Sequence, residues 1–374
     1  MALAGAVSGL QLSYVDGVRG SDVEDRTLPA DALDRRILPG NKGSWRAHMN
    51  ALRTWVTLPS STSGRLTREP SRIVERNIST ALILEDDVDW DVRVKSQMQS
   101  FALASRIFVQ PVTGRSHAIS KVYTPEPGTT STSEDLKPAK DRNVLPVRSA
   151  PAYDKPVVSP YGDAFDVLWL GHCGTEFPAH PPALSRQHEG FSGPGAGRPA
   201  QLPLLRVTAA RDATVPAPRH LRPHPFANPD AMAEQFAAHT RVVHAASATA
   251  CTLAYAVSQA GARRLLRQFA LETFTTGWDL MLGAWCDGLY MERGGGRGRG
   301  AKGERTPVCL AVQPPLFSHY LDEAKGSDIQ AQGGGYLHKT GSQYIRLSVR
   351  ANLRRLVEGS EEKDLVDQWP DEDV

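Results

Sequence analysis

The densest chemistry in the chain lies in Glu85-Asp86-Asp87, three adjacent carboxylates that follow the apolar run Ala81-Leu82-Ile83-Leu84 and precede Val88. An apolar run of this kind predicts a buried strand. Carboxylates at its end cannot enter a core unpaired, because burying an uncompensated charge is very costly. Three adjacent negative charges also repel one another, so they need either solvent or a divalent cation among them. Hard oxygen ligands suit Mg²⁺ or Mn²⁺. In open α/β sheets, ligands bind at the carboxyl ends of strands. The run therefore suggests a metal site at the mouth of a sheet; a solvated acidic turn after a strand is the alternative.

Several elements are available to position such a site. Leu10–Val15 alternates apolar and polar residues before Asp16-Gly17, which predicts a strand and a turn. Trp45, Met49, Leu52 and Val56 recur at helical spacing, with Ser44 as a candidate N-cap. The turn-rich run from Thr57 to Gly64 interrupts that helix. Asp166–Gly171 is an apolar strand closed by glycine. Thr252–Val257 is a short strand, and Ser258 can cap a helix whose Ala262, Leu265, Leu266 and Phe269 form a core stripe. Val308–Val312 is the last apolar strand, closed by Pro314-Pro315. Residues 110–160 and 175–225 are rich in proline and read as long loops or insertions. His180, His188, His220 and His224 are irregularly spaced there and read as solvated loop residues rather than metal ligands. Gly294–Gly303 lacks the Gly-Lys-Ser/Thr ending of a phosphate loop and reads as a surface loop. The acidic stretch after Gly359 reads as a frayed, disordered tail (359–374) behind one domain (1–358). Alternating strands and helices predict an α/β fold with a mainly parallel sheet.

A charge of +2, from 43 basic and 41 acidic residues, gives no electrostatic case for nucleic acid or an anionic membrane. No apolar stretch is long enough to span a bilayer, and the start has no basic region of the kind that opens a signal peptide. Cys173, Cys251, Cys286 and Cys309 show no CxxC spacing, which argues against zinc; one or two disulfides, or four buried thiols, fit the count.

Taken in order, six segments resemble glycosyltransferase family 25, which includes lipooligosaccharide and procollagen galactosyltransferases. They are Gly43-Ser44-Trp45-Arg46-Ala47-His48, Leu82–Val88, Asp166–Gly171, Ala254–Ala262, Gly277-Trp278-Asp279-Leu280 and Ser327-Asp328-Ile329. Asp89-Trp90-Asp91 after the carboxylates is similar to the fungal branch. The resemblance implies a single GT-A-like nucleotide-sugar-binding domain. It implies transfer of a hexose, usually galactose, from a UDP-sugar to a glycan, glycolipid or protein hydroxyl, with inversion. It also implies a Golgi or ER lumen location, with any anchor upstream of Met1. Glu85 and Asp87 would hold Mn²⁺ or Mg²⁺ against the diphosphate, with Asp86 between them also at the cofactor site. His319 matches a position that supplies one more metal ligand; an ordinary hydrogen-bonded histidine is the alternative. Inversion needs a general base for the acceptor hydroxyl, and Asp279 is the candidate, with a helix cap as its other reading. Asp328 could contact acceptor or cap a helix.

The chain departs from the family pattern in three ways. The family's first strand and an Arg-rich segment would lie ahead of Met1, Thr57–Val74 is additional, and Arg293–Arg305 lengthens a loop. A misassigned start and a retained intron would account for the first two. Two other functions compete: a catalytically impaired sugar-nucleotide or glycan-binding relative, and a metal-dependent phosphohydrolase. The second would need further ligands at other strand ends, and Gly171 and Ser258 supply none.

Overall fold

The computed structural model describes residues 1–32, 36–56, 79–125, 143–183, 199–221, 232–291, 305–321 and 341–371. Its strands are β1 (Thr80–Leu84), β2 (Val88–Trp90), β3 (Val144–Pro146), β4 (Val167–Gly171), β5 (Arg206–Ala209), β6 (Arg241–Ala245), β7 (Ala254–Ser258), β8 (Cys309–Gln313), β9 (Phe317–Leu321) and β10 (Gly341–Ser342). The principal helices are α1 (Ala2–Val7), α2 (Pro39–Val56), α3 (Val94–Val109), α4 (Gln259–Leu266), α5 (Trp278–Cys286) and α6 (Leu353–Val357).

The central strands β7, β4 and β8 are apolar except at their last positions Ser258 and Gln313, because both faces of the sheet are covered. Alternation along each strand sends residues to two cores. Leu168 and Leu170 of β4, Ala254 and Ala256 of β7, and Leu310 and Val312 of β8 face α3, whose Phe101, Ala104, Ile107 and Phe108 fill that layer. Val167 and Trp169, Tyr255 and Val257, and Cys309 and Ala311 face the opposite layer, built on Trp45, Met49 and Leu52 of α2 with α4 and α5. The fold is therefore α/β, with helices on both faces of the sheet.

The strand order is β1-β7-β4-β8-β6-β5-β3. The sheet is mixed rather than mainly parallel. β4 runs parallel to β8 and β3 to β5, whereas β7 is antiparallel to both β1 and β4, and β6 is antiparallel to both β5 and β8. The helix count explains part of the difference. A single helix between two strands returns the chain to its starting end and gives parallel strands. Here β7 is followed by two helices, α4 and α5, which go out and back. β8 therefore starts at the end where β7 stopped. The Cys286–Cys309 disulfide ties the end of α5 to the start of β8, with the Cα atoms 5.6 Å apart. β1, β4 and β8 nevertheless point the same way, so their carboxyl ends share one side of the molecule.

Other local expectations shift. Leu10–Val15 forms no strand, and Tyr14 and Val15 are exposed, because its alternation meets no partner edge. α2 begins at Pro39, ahead of Ser44, since proline's fixed φ suits a first helical turn. β9 follows the strand expected to be last. The two proline-rich stretches are not merely loop, for they supply β3 and β5. His180 Nδ1–H donates to the Gln201 amide oxygen and His220 Nε2–H to the Pro370 carbonyl, and neither joins a metal-ligand group among the described residues. The acidic end does not fray before Asp371. Arg346 pairs with Asp367 and Asp371, and the Trp369 indole donates to the Ser342 carbonyl at 2.9 Å. Thr57–Val74, Gly294–Gly303, His188, His224 and Asp328 lie outside the described residues, as does 293–305 apart from Arg305. No described helix is long and apolar enough to cross a membrane.

Ser258 caps α4 as the sequence predicts, its hydroxyl accepting from the Gly261 amide at 3.0 Å. At the same end of this layer, the Ser258 amide donates to the Asp166 carbonyl at 3.1 Å, and the Asp166 side chain is fully buried. It accepts from Arg264, from Arg305 and from the Val308 amide. That carboxylate is a structural anchor at the sheet end remote from Glu85.

Candidate metal centre

β1 ends where its last backbone bond, Glu85 amide to Leu253 carbonyl at 2.9 Å, is made. Asp86 and Asp87 then form a tight turn into β2. β2 pairs antiparallel with β9, Val88 standing opposite His319, and the Tyr320 amide donates to the Asp87 carbonyl at 3.0 Å. This pairing carries His319 to the turn. Glu85, Asp87 and His319 each offer one ligand atom, and these atoms lie within 4.8 Å of one another. The set comprises two carboxylates and one imidazole. Carboxylate oxygens suit either Mg²⁺ or Mn²⁺, and the imidazole nitrogen favours a transition metal such as Mn²⁺.

Electrostatics bind the group together. His319 Nε2 lies 3.4 Å from Asp87 Oδ2. Burial disfavours the charged imidazolium, but the Asp87 hydrogen bond and the charges of Asp87 and Glu85 outweigh it, so the His319 pKa is raised. Burial pushes the Asp87 carboxyl the other way from its partners; His319 and Arg350 prevail and its pKa is lowered. Asp86 is exposed and lies outside the cluster; its backbone carbonyl accepts from the Arg350 guanidinium.

The segment behind the turn is held by the two acids that follow it. Buried Asp89 accepts from the Ser342 and Ser348 hydroxyls and from the Arg350 amide. Asp91 accepts from the Arg93 guanidinium at 2.7 and 2.9 Å and from the Leu347 amide at 3.0 Å. These bonds fix residues 342–350, and with them Arg350, against β2.

Glu85 has its own supports. The Thr252 hydroxyl donates to Oε1 at 2.7 Å, and His48 Nε2 lies 3.5 Å from the same oxygen. The neighbouring Cys251 amide donates to Asp279 Oδ2 at 3.1 Å. Asp279 sits in the first turn of α5, where Gly277 takes the N-cap position, so it is not the helix cap. Burial raises the Asp279 pKa ahead of the Cys251 and Leu280 amides that oppose the shift, and the Glu85 charge adds to the rise.

One loop thus holds two carboxylates through successive residues. That loop is itself pinned to the end of β4 by the Cys173–Cys251 disulfide, with Cα atoms 5.4 Å apart, and by the Trp169 indole donating to the Cys251 carbonyl at 2.8 Å. Cys251 adopts φ 62°, a left-handed conformation uncommon for a side-chain-bearing residue. Gly171 lets the strands meet here: a Cβ on it would lie 2.8 Å from the Phe317 Cβ and 2.9 Å from the Ala254 Cβ.

The structure brings together Glu85, Asp87 and His319, sets Asp279 within the field of Glu85, and leaves Asp86 outside. Sequence reasoning missed His48, Thr252 and Arg350 as members of this neighbourhood. His48 had a signal, as a polar residue inside the Trp45–Met49–Leu52 stripe; Thr252 and Arg350 had none. No family model, curated protein or solved structure matches the chain.

Proposed function

We propose that this protein is a metal-dependent glycosyltransferase that moves a hexose, galactose by the family resemblance, from a UDP-sugar to an acceptor hydroxyl with inversion. The observation that carries the reading is the convergence of Glu85, Asp87 and His319 at the strand-end turn, with a third carboxylate, Asp279, whose pKa is raised by burial and by the Glu85 charge. A cation at this centre would offset the charge that develops on a diphosphate leaving group. Glu85, Asp87 and His319 supply its ligands. Asp279 takes the proton of the acceptor hydroxyl. A raised pKa makes it a stronger base than an ordinary aspartate, and the Cys251 amide fixes one of its oxygens. Two disulfides suit an oxidising compartment, in keeping with a secretory lumen.

The test is hydrolysis of UDP-galactose with Mn²⁺, followed by UDP release and compared with a simple phosphate monoester. Turnover of the sugar nucleotide alone, abolished by EDTA and by Asp87→Asn, supports the reading. Asp279→Asn lowers kcat by about 10²- to 10⁴-fold with little change in the donor KM. Turnover of the phosphate ester instead, or activity that survives both EDTA and Asp87→Asn, refutes it.

A further inference from the structure

His48 is buried against Trp278, their rings 5.4 Å apart and inclined by 23°. Both of its nitrogens face polar groups. Nδ1 lies 3.0 Å from the Tyr255 hydroxyl, and Nε2 lies 3.5 Å from Glu85 Oε1. The surroundings set its tautomer. A bare Nε2 lone pair facing a carboxylate oxygen would be repelled, so Nε2 carries the hydrogen and points it at Glu85. Nδ1 then accepts, and the Tyr255 hydroxyl donates to it. Tyr255 can do so only as a phenol, and its complete burial keeps it one by raising its pKa. The side chains therefore form an ordered series: Tyr255 O–H to His48 Nδ1, and His48 Nε2–H toward Glu85 Oε1. Thr252 donates to that same oxygen from another element.

We propose that His48, oriented by Tyr255, is a positioning residue that fixes the Glu85 carboxylate through Oε1 so that its other oxygen is presented to a divalent cation. This rests on the metal-centre reading above. A packing role alone would need the ring but neither nitrogen. The placement argues for more: α2 delivers His48 and β7 delivers Tyr255 to the same layer, next to the one end of β1 that carries a candidate ligand. Partners of this kind orient metal ligands and strengthen their binding.

The experiment measures Mn²⁺ affinity of the full chain by the electron paramagnetic resonance signal of free Mn²⁺, without substrate or turnover. His48→Ala should weaken Mn²⁺ binding about 10-fold or more. His48→Gln, whose amide can reach Glu85 from the Nε2 position, should restore most of it. Tyr255→Phe should weaken binding by less. The double variant H48A/Y255F should bind no more weakly than H48A, because Tyr255 acts through His48. Asp87→Asn in the same assay separates the two ideas. Wild-type protein that does not bind Mn²⁺, or binding that survives Asp87→Asn, overturns both. Binding lost in Asp87→Asn but unchanged in His48→Ala overturns only the role of His48. Should His48→Ala fail to fold, wild-type affinity in Tyr255→Phe overturns the proposed series.

Discussion

Lowering the pH should destabilise this protein through two buried histidines, His172 and His244. His172 follows β4 and its Nε2–H donates to the Val312 carbonyl at 2.9 Å, while its Nδ1 is buried with no hydrogen-bond partner among the described residues. His244 in β6 uses Nδ1–H to bond the Ala245 carbonyl at 2.9 Å, and its Nε2 accepts from the Gln313 amide at 3.1 Å. Protonation would bury an unpaired N–H on His172 and set two donors face to face at His244. Burial accordingly depresses His172 to about 4 and His244 to about 3, the charges of His172 and Arg206 adding to the second shift. Both folded values lie below 6.5, so the unfolded chain binds the protons first. Stability is full above that value and falls as pH drops below it, until the folded values are reached. From pH 8 to pH 5 each histidine removes about 2 kcal/mol, together about 4 kcal/mol, a large share of a typical domain's stability. Urea unfolding at the two pH values measures the loss. Other groups titrate too, so the decisive comparison is the change in slope in His172→Gln, which keeps a donor for Val312 but cannot titrate. That variant should lose about 2 kcal/mol less than wild type over the same interval. Equal losses in both proteins would refute the argument.

Three further outcomes are expected. His319 has a raised pKa through Asp87 and Glu85 despite its burial, so its proton competes with a cation; Mn²⁺ affinity measured by calorimetry should fall as pH drops through that raised value, and the fall should flatten in His319→Gln. Replacing both Cys173 and Cys251 with alanine opens a loop of sequence separation 78 and should reduce stability by about 4 kcal/mol on the chain-entropy account, while weakening Mn²⁺ binding because Thr252 loses its fixed position; chemical denaturation and the same calorimetry check both, and unchanged affinity would show that the loop holds itself. Gly171→Ala should cost about 1–3 kcal/mol, since the added methyl meets the Cβ atoms of both Phe317 and Ala254, and thermal unfolding would reveal a tolerated methyl as no shift in Tm.

Burial alone did not decide which strands were legible in the sequence: half-buried β1 read as an apolar run, while fully buried β6 was missed because Arg241 and His244 break its run. Val167–Gly171 and the strand before Ser258 read as uninterrupted apolar runs because helices cover both faces. The cap of α4 was legible because its chemistry is local. What failed depended on distant partners. β3 and β5, of three and four residues, are too short to show a period of two, and they exist because they pair with each other and with β6. Leu10–Val15 shows the period but found no edge. The mixed direction of the sheet was hidden because spacing along the chain does not reveal whether one helix or two cross between strands. Asp86 lies outside the metal-ligand group because it opens the tight turn that carries the chain from Glu85 to Asp87, where its side chain is exposed.

The candidate base and the candidate metal ligand come from distant parts of the chain, yet their relation is set by two adjacent residues. The Cys251 amide holds Asp279 and the Thr252 hydroxyl holds Glu85. A base on α5 and a ligand on β1 could drift independently if each were held by its own element. Donors on a single dipeptide prevent this, because any movement of the loop carries both carboxylates together. The left-handed backbone at Cys251 is the local expense of that arrangement. The disulfide to Cys173 and the Trp169 indole anchor it to β4, the central strand from whose end β9 departs with His319. The three candidate ligands and the candidate base are thus referred to one rigid strand end. Catalysis by positioning requires this, since small displacements of reacting groups are enough to lose most of a rate.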